Sequence, residues 1–157
     1  MFFGDPPTAF ANLARSLRSG GRIAFLAWQD LAVNDWAMVP ALAALQHVPL
    51  PELDDTTQTQ AFSLADPDHT TALLHEAGFT DIVLDPVTAP LWLGASVNDA
   101  VRYLQHADLA HTLFTAIPED TAAAGWAAVT DALRPHAGDE GVELPGAAWL
   151  ITGRTPS

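Results

Sequence analysis

The sequence predicts an α/β fold, on three observations. Segments with apolar residues at helical spacing alternate with short apolar runs that read as strands. Glycine and proline fall where one pattern gives way to the other. With 49% hydrophobic and 16% charged residues, 157 residues can bury a core, and the chain is too apolar to be disordered. The length fits one domain, residues 1–157.

Asp5 followed by Pro6 reads as a helix N-cap with proline in the first turn, where its missing N–H costs nothing. Phe10, Leu13, Ala14 and Leu17 form one apolar stripe, and Gly20-Gly21 is expected to end the helix. Ile23 to Trp28 follow as six apolar residues without polar alternation, the pattern of a strand covered on both faces, as in a parallel sheet. Asn34 or Asp35 caps a helix from Trp36 to about Gln46, with Pro40 awkward in its first turns. Residues 48–62, rich in Pro, Thr and Asp, read as a loop or lid.

Asp66-Pro67 opens the next helix, which buries Leu73, Leu74 and Ala77; Gly78 closes it, and Phe79 is placed to fold back on its last turn. A strand starts at Thr80 and either ends at Pro86 or runs past Pro90 to Leu93. Ser96-x-x-Asp99 matches a capping box with Asp in place of Glu. Pro118 opens a helix that carries Ala122, Trp126, Val129 and Leu133. A last strand, about Ala147 to Thr152, completes three.

Charge and composition exclude several functions. The formal net charge of −13 argues against nucleic acid and anionic membrane as partners, since both select a cationic face. All six cations are arginine, so chemistries that need a catalytic lysine are absent, and with no cysteine so are disulfides and thiolate chemistry. The start lacks the basic and apolar regions of a signal peptide, and no stretch nears the roughly 20 apolar residues of a membrane span. The expectation is a soluble, cytoplasmic, acidic protein.

Met1-Phe2-Phe3, Asp5-Pro6, Leu17-Arg18, Gly20-Gly21-Arg22 and Trp28 carry a further signal. Together they resemble the segment after the fourth strand of class I S-adenosylmethionine-dependent methyltransferases, with Ser19 in place of a usual proline. Asn34-Asp35-Trp36, Ala65-Asp66-Pro67, Ala77 to Asp81 and Leu144 to Leu150 are similar to later parts of that family, in order. The resemblance implies a partial Rossmann-like methyltransferase sheet of about three strands, the last antiparallel, with helices packed on it. It also implies that Met1 matches an internal methionine of the family segment, so that the chain corresponds to the acceptor-side, C-terminal half of such an enzyme.

That family holds S-adenosylmethionine on its first half, through a glycine-rich turn after a strand. This chain has no GxG, and Gly20-Gly21 precedes a strand, so it is expected not to bind S-adenosylmethionine alone. By the same resemblance, the Ile23–Trp28 strand has the antiparallel last strand on one side and nothing on the other. An uncharged apolar edge of that kind calls for a partner: a second copy, making a homodimer, or the missing half in trans.

By resemblance, Phe2, Phe3 and Asp5 lie in the loop lining the cofactor and acceptor pocket, although core packing for the two phenylalanines and capping for Asp5 is the favoured reading. Trp28, Asn34 and Trp36 would sit at the carboxyl end of a strand, where open α/β sheets hold ligands. His106-x-Asp108-x-x-His111 and Asp66-x-Asp68-His69 lack a matching third ligand set, so no metal site is expected. None of the serines has the G-x-S-x-G elbow of a hydrolase, and no catalytic residue is assigned. The rival reading is a non-catalytic, homodimeric module that holds a small apolar molecule between helices and the tryptophan-bearing strand end.

Overall fold

A computed structural model describes residues 3–50 and 60–157. Phe2 and most of the expected 48–62 loop lie outside the described residues. Among the described residues, six α-helices and four strands make a mixed α/β fold: α1 Pro6–Ser16, β1 Arg22–Trp28, α2 Asp35–Ala44, α3 Pro67–Glu76, β2 Thr80–Gly94, α4 Val97–Gln105, α5 Asp108–Phe114, α6 Glu119–Leu133, β3 Ala137–Gly138 and β4 Gly141–Arg154. The strands form one sheet in the order β1-β4-β2, with the short β3 also paired to β4. β1 runs antiparallel to β4, from Arg22 opposite Arg154 to Trp28 opposite Ala148. The Thr80 hydroxyl meets the Arg154 carbonyl, so β2 begins where β4 ends.

The chain divides into two compact units: Met1–Asp30 with Gln60–Thr88 and Ala147–Ser157, and Leu31–Thr59 with Ala89–Gly146. In the first unit, α1, α3 and one face of β1 and β4 enclose Phe10, Ala27, Leu73, Leu74, Phe79 and Ile151. Local chemistry builds its helices. The Asp5 carboxylate accepts the Thr8 N–H at 3.0 Å and the Thr8 hydroxyl at 2.6 Å, satisfying the first turn of α1. Asp66 does the same for α3 through the Asp68 and His69 N–H groups. At the end of α3, Gly78 takes φ +96°, its N–H bonds to the His75 carbonyl, and the Phe79 N–H bonds to the Leu74 carbonyl. This is the Schellman closure, and it drives the Phe79 ring into the core.

The structure corrects three expectations and decides between two alternatives in a fourth. The Ile23–Trp28 run is not covered on both faces: burial alternates along β1, and Leu26 is 55% exposed. Its sheet is antiparallel, so one face meets the helices while the other faces out. α1 stops at Ser16, ahead of Gly20-Gly21, because Leu17 is already extended. Of the two expected courses for β2, the longer is observed: it passes both Pro86 and Pro90 and ends at Gly94. β2 lies at a sheet edge, where a missing N–H breaks no ladder bond. The last strand also begins earlier than expected, at Gly141.

In the second unit, α2, α4 and α6 bury Ala41, Ala44, Leu104, Val129 and Leu133, with Leu93, Val142 and Leu144 from the strands. Ser96 caps α4 by accepting the Asp99 N–H at 3.2 Å. The Asp99 side chain receives the Ser96 hydroxyl at 2.7 Å, the local bond an aspartate makes where a glutamate would reach back to the backbone.

The Asp99 carboxyl is held below the usual carboxylate range, first by the Ser96 hydroxyl and then by Arg102. A depressed folded value means that this stabilisation is complete above the unfolded value, about 3.9, and is lost as pH falls through the lower folded value. Amide exchange in the first turn of α4 is therefore expected to speed up over that acid window. Ser96→Ala should move the onset to higher pH, toward the unfolded value, as read by hydrogen exchange against pH.

Among the described residues, no helix is long and apolar enough to cross a membrane.

Candidate functional site

The second unit contains a pocket whose wall is built almost entirely from apolar side chains. On α2, Ala37, Ala41 and Ala44 stand at i, i+4 and i+7, so one face of that helix is mostly methyl groups. Pro40, also on the lining, cannot donate the usual bond to the Trp36 carbonyl. Ala107 and Ala110 at α5 are equally small. The space left by these alanines is bounded by three aromatic side chains: Trp36, Phe114 and Trp126.

Phe114 and Trp126 stack with centroids 4.3 Å apart and planes 14° from parallel. That stack is held from behind by Gly125, where an added Cβ would stand 2.9 Å from the Phe114 ring and 3.1 Å from Val48. Trp36 is fixed differently. Its indole N–H donates at 3.0 Å to the side-chain oxygen of Asn34, which is fully buried. The bond satisfies the polar edge of the indole and leaves its carbon face for the pocket.

The cavity measures about 30 Å³, within some 350 Å³ of atom-free space that is partly open to solvent. The cavity volume lies well below the roughly 300 Å³ of small-molecule sites, and the rest of that space is continuous with solvent. A ligand would therefore enter by widening the gap between helices. The chemistry on offer is apolar contact and aromatic stacking, with no acid, base or nucleophile among the described residues of the wall.

The sequence candidates separate. Asn34 and Trp36 come together, and Trp36 lines the pocket. Phe3, Asp5 and Trp28 belong to the first unit. Phe3 packs edge-on against Phe10 at 5.7 Å, and Asp5 caps α1, so both do structural work there. Trp28 is half-buried at the end of β1. Phe114 and Trp126 were not singled out for a site: α5 has no capping side chain to announce it, and Trp126 reads as one more core position of its helix. Among the described residues, no three His, Asp or Glu side chains gather as metal ligands.

The family resemblance implies S-adenosylmethionine, and the strand-to-helix turns test the fit. After β1 the chain enters α2 by way of Leu31–Val33 without a glycine. After β2 a single glycine, Gly94, leads to α4, but its open side is filled by its own helix, with the Ala100 nitrogen and Asp99 Cβ at 2.7 Å from an added Cβ. Neither turn is glycine-rich. No protein-family model and no curated protein matches this chain.

Proposed function

We propose that the chain binds a small apolar molecule in the pocket between α2, α5 and α6, and that it is the acceptor-side part of a methyltransferase-like fold whose S-adenosylmethionine is held by another polypeptide segment. The observation that carries the binding is the wall itself: methyl groups of alanines facing Trp36, Phe114 and Trp126. Flat hydrophobic acceptors gain from that surface both by loss of hydration and by stacking. The methyl-transfer role draws its support from the sequence resemblance in Asn34-Asp35-Trp36 and the segments around it. Methyl transfer asks chiefly for positioning of donor and acceptor, and an apolar cleft without titratable groups can provide that.

A second reading has its own support. The pocket is completed by residues of one unit, so a stand-alone binding module needs nothing further.

Titration of the full chain with the neutral fluorophore N-phenyl-1-naphthylamine tests the binding claim. Saturable enhancement is expected. Ala107→Phe, which places a ring over the pocket from a half-exposed site, should weaken it about tenfold or more, equal to 1.4 kcal/mol. Enhancement indifferent to that substitution would refute the pocket. A parallel calorimetric titration with S-adenosylhomocysteine should show no saturable heat; micromolar binding would overturn the acceptor-side assignment.

A further inference from the structure

The charge of the chain is unevenly divided, and the pocket lies in the part that holds most of it. The described residues of the second unit carry nine Asp and Glu against two Arg, and those of the first carry seven against four. Asp35, exposed at the start of α2, adjoins Trp36, and Asp108 stands in the chain between the wall residues Ala107 and Leu109. Glu119 and Asp120 open α6, the helix of Trp126. Both arginines of the unit are engaged by an acid three residues earlier, Arg102 by Asp99 and Arg134 by Asp131. Among its described residues, the wall holds no arginine or histidine. A bound anion would meet repulsion around the pocket and no counter-ion inside it.

The aromatic side chains act in the same direction. An aromatic ring is negative over its face and positive at its edge, so a cation is drawn to the face. In Trp36 the most positive part of the edge, the indole N–H, is taken by the side-chain oxygen of the fully buried Asn34 at 3.0 Å. That hydrogen bond shifts electron density into the indole and strengthens the pull of its face. Trp126 brings a second indole to the wall, the ring type that attracts cations best, and its stack with Phe114 holds it in place. A compact ammonium ion would give up a tight hydration shell against such a wall. A cation whose charge is spread over a flat ring is weakly hydrated and gives up little.

We infer that the small molecule this pocket takes is an aromatic cation, its charge delocalised over a flat ring, held by cation–π contact with Trp36 and Trp126. The inference rests on the binding proposed above and names the class of ligand. The alanine methyls receive the hydrocarbon of the ring, and the indole faces receive its charge. The side of the space that is continuous with solvent spares the cation full dehydration. The surrounding acids raise its local concentration. A neutral ring of the same outline gains only the apolar contact, and an anionic one is opposed by the field.

Three probes of nearly one shape test the inference: 1-methylnaphthalene, which is neutral, N-methylquinolinium, its cationic isostere, and 1-naphthoate, an anion. Each is titrated into the full chain, with the indole N–H signals of Trp36 and Trp126 as the readout. N-methylquinolinium is expected to bind about tenfold tighter than 1-methylnaphthalene, and 1-naphthoate about tenfold weaker or not at all. Raising the ionic strength from about 0.01 to about 0.1 M shortens the screening length from about 30 to about 10 Å, which should weaken the cation and leave the neutral probe unchanged. Trp36→Leu keeps an apolar wall but removes one ring face, so it should cost the cation more than its neutral isostere. If that variant fails to fold, the three probes on the unaltered chain still decide. A neutral probe that binds as tightly as the cation or tighter, or an anion that matches the neutral probe, would overturn the inference and leave the pocket standing. Signals moved by none of the three would overturn the pocket, and the inference with it.

Discussion

Gly141→Ala is expected to lower the stability of the second unit by about 4 kcal/mol or more, because two costs coincide. Gly141 has φ +114°, where a side chain is strained at roughly 1–3 kcal/mol. An added Cβ would also stand 2.4 Å from the Gly94 carbonyl oxygen and 2.6 Å from the Trp92 indole nitrogen. The first of these is backbone, held at the junction of β2 and α4, and cannot swing aside. The second belongs to a ring anchored by its N–H bond to the Glu140 carbonyl at 2.9 Å. Folded domains hold only about 5–15 kcal/mol in reserve, so a large fall in the urea midpoint should follow. Gly78→Ala is the control. It also has positive φ, but an added Cβ meets nothing within 4 Å, so it should show the strain cost alone.

Phe79→Ala should cost the first unit about 3–5 kcal/mol, the usual range for emptying a buried aromatic site. The ring is 1% exposed and packs in the cluster with Phe10, Leu74 and Ile151. The backbone bond from the Phe79 N–H to the Leu74 carbonyl survives the substitution, so the loss isolates packing from capping. A shift in urea midpoint with an unchanged slope is the expected signature. A cost below about 1 kcal/mol would mean that this core closes over the gap or was never tightly packed.

Both sites show why some of the fold was legible and some was not. Asp5, Asp66 and Ser96 accept from amides two or three residues away, and Gly78 donates to a carbonyl three residues back, so their meaning is written locally, and the helices they bound could be read directly. Gly141 acts on Gly94, 47 positions earlier, a contact that local pattern cannot reveal. The apolar run of β1 misled for a physical reason. Its outward residues Ala24 and Leu26 are apolar although exposed, so the alternation in burial has no counterpart in polarity. Pro86 and Pro90 concealed the length of β2 because only the sheet order shows that they lie at an edge.

The site was half legible. Trp36 was found through the segment it shares with Asn34, and their hydrogen bond joins residues two apart. Its partners across the pocket, Phe114 and Trp126, lie 78 and 90 positions further along the chain, and nothing in their own neighbourhoods marks them as facing it. The alanines at 37, 41 and 44 read equally well as helix formers, and only packing shows that they leave space.

The chain has five tryptophans, and their indole N–H signals in a nitrogen-15 correlation spectrum report the pocket directly. Saturation with N-phenyl-1-naphthylamine should move the signals of Trp36 and Trp126, which line it, and leave Trp149, bonded to the Ala65 carbonyl in the first unit, where it was. Shifts centred on Trp149, or a bound fluorophore that leaves Trp36 and Trp126 unmoved, would contradict the assignment of this cleft as the binding site.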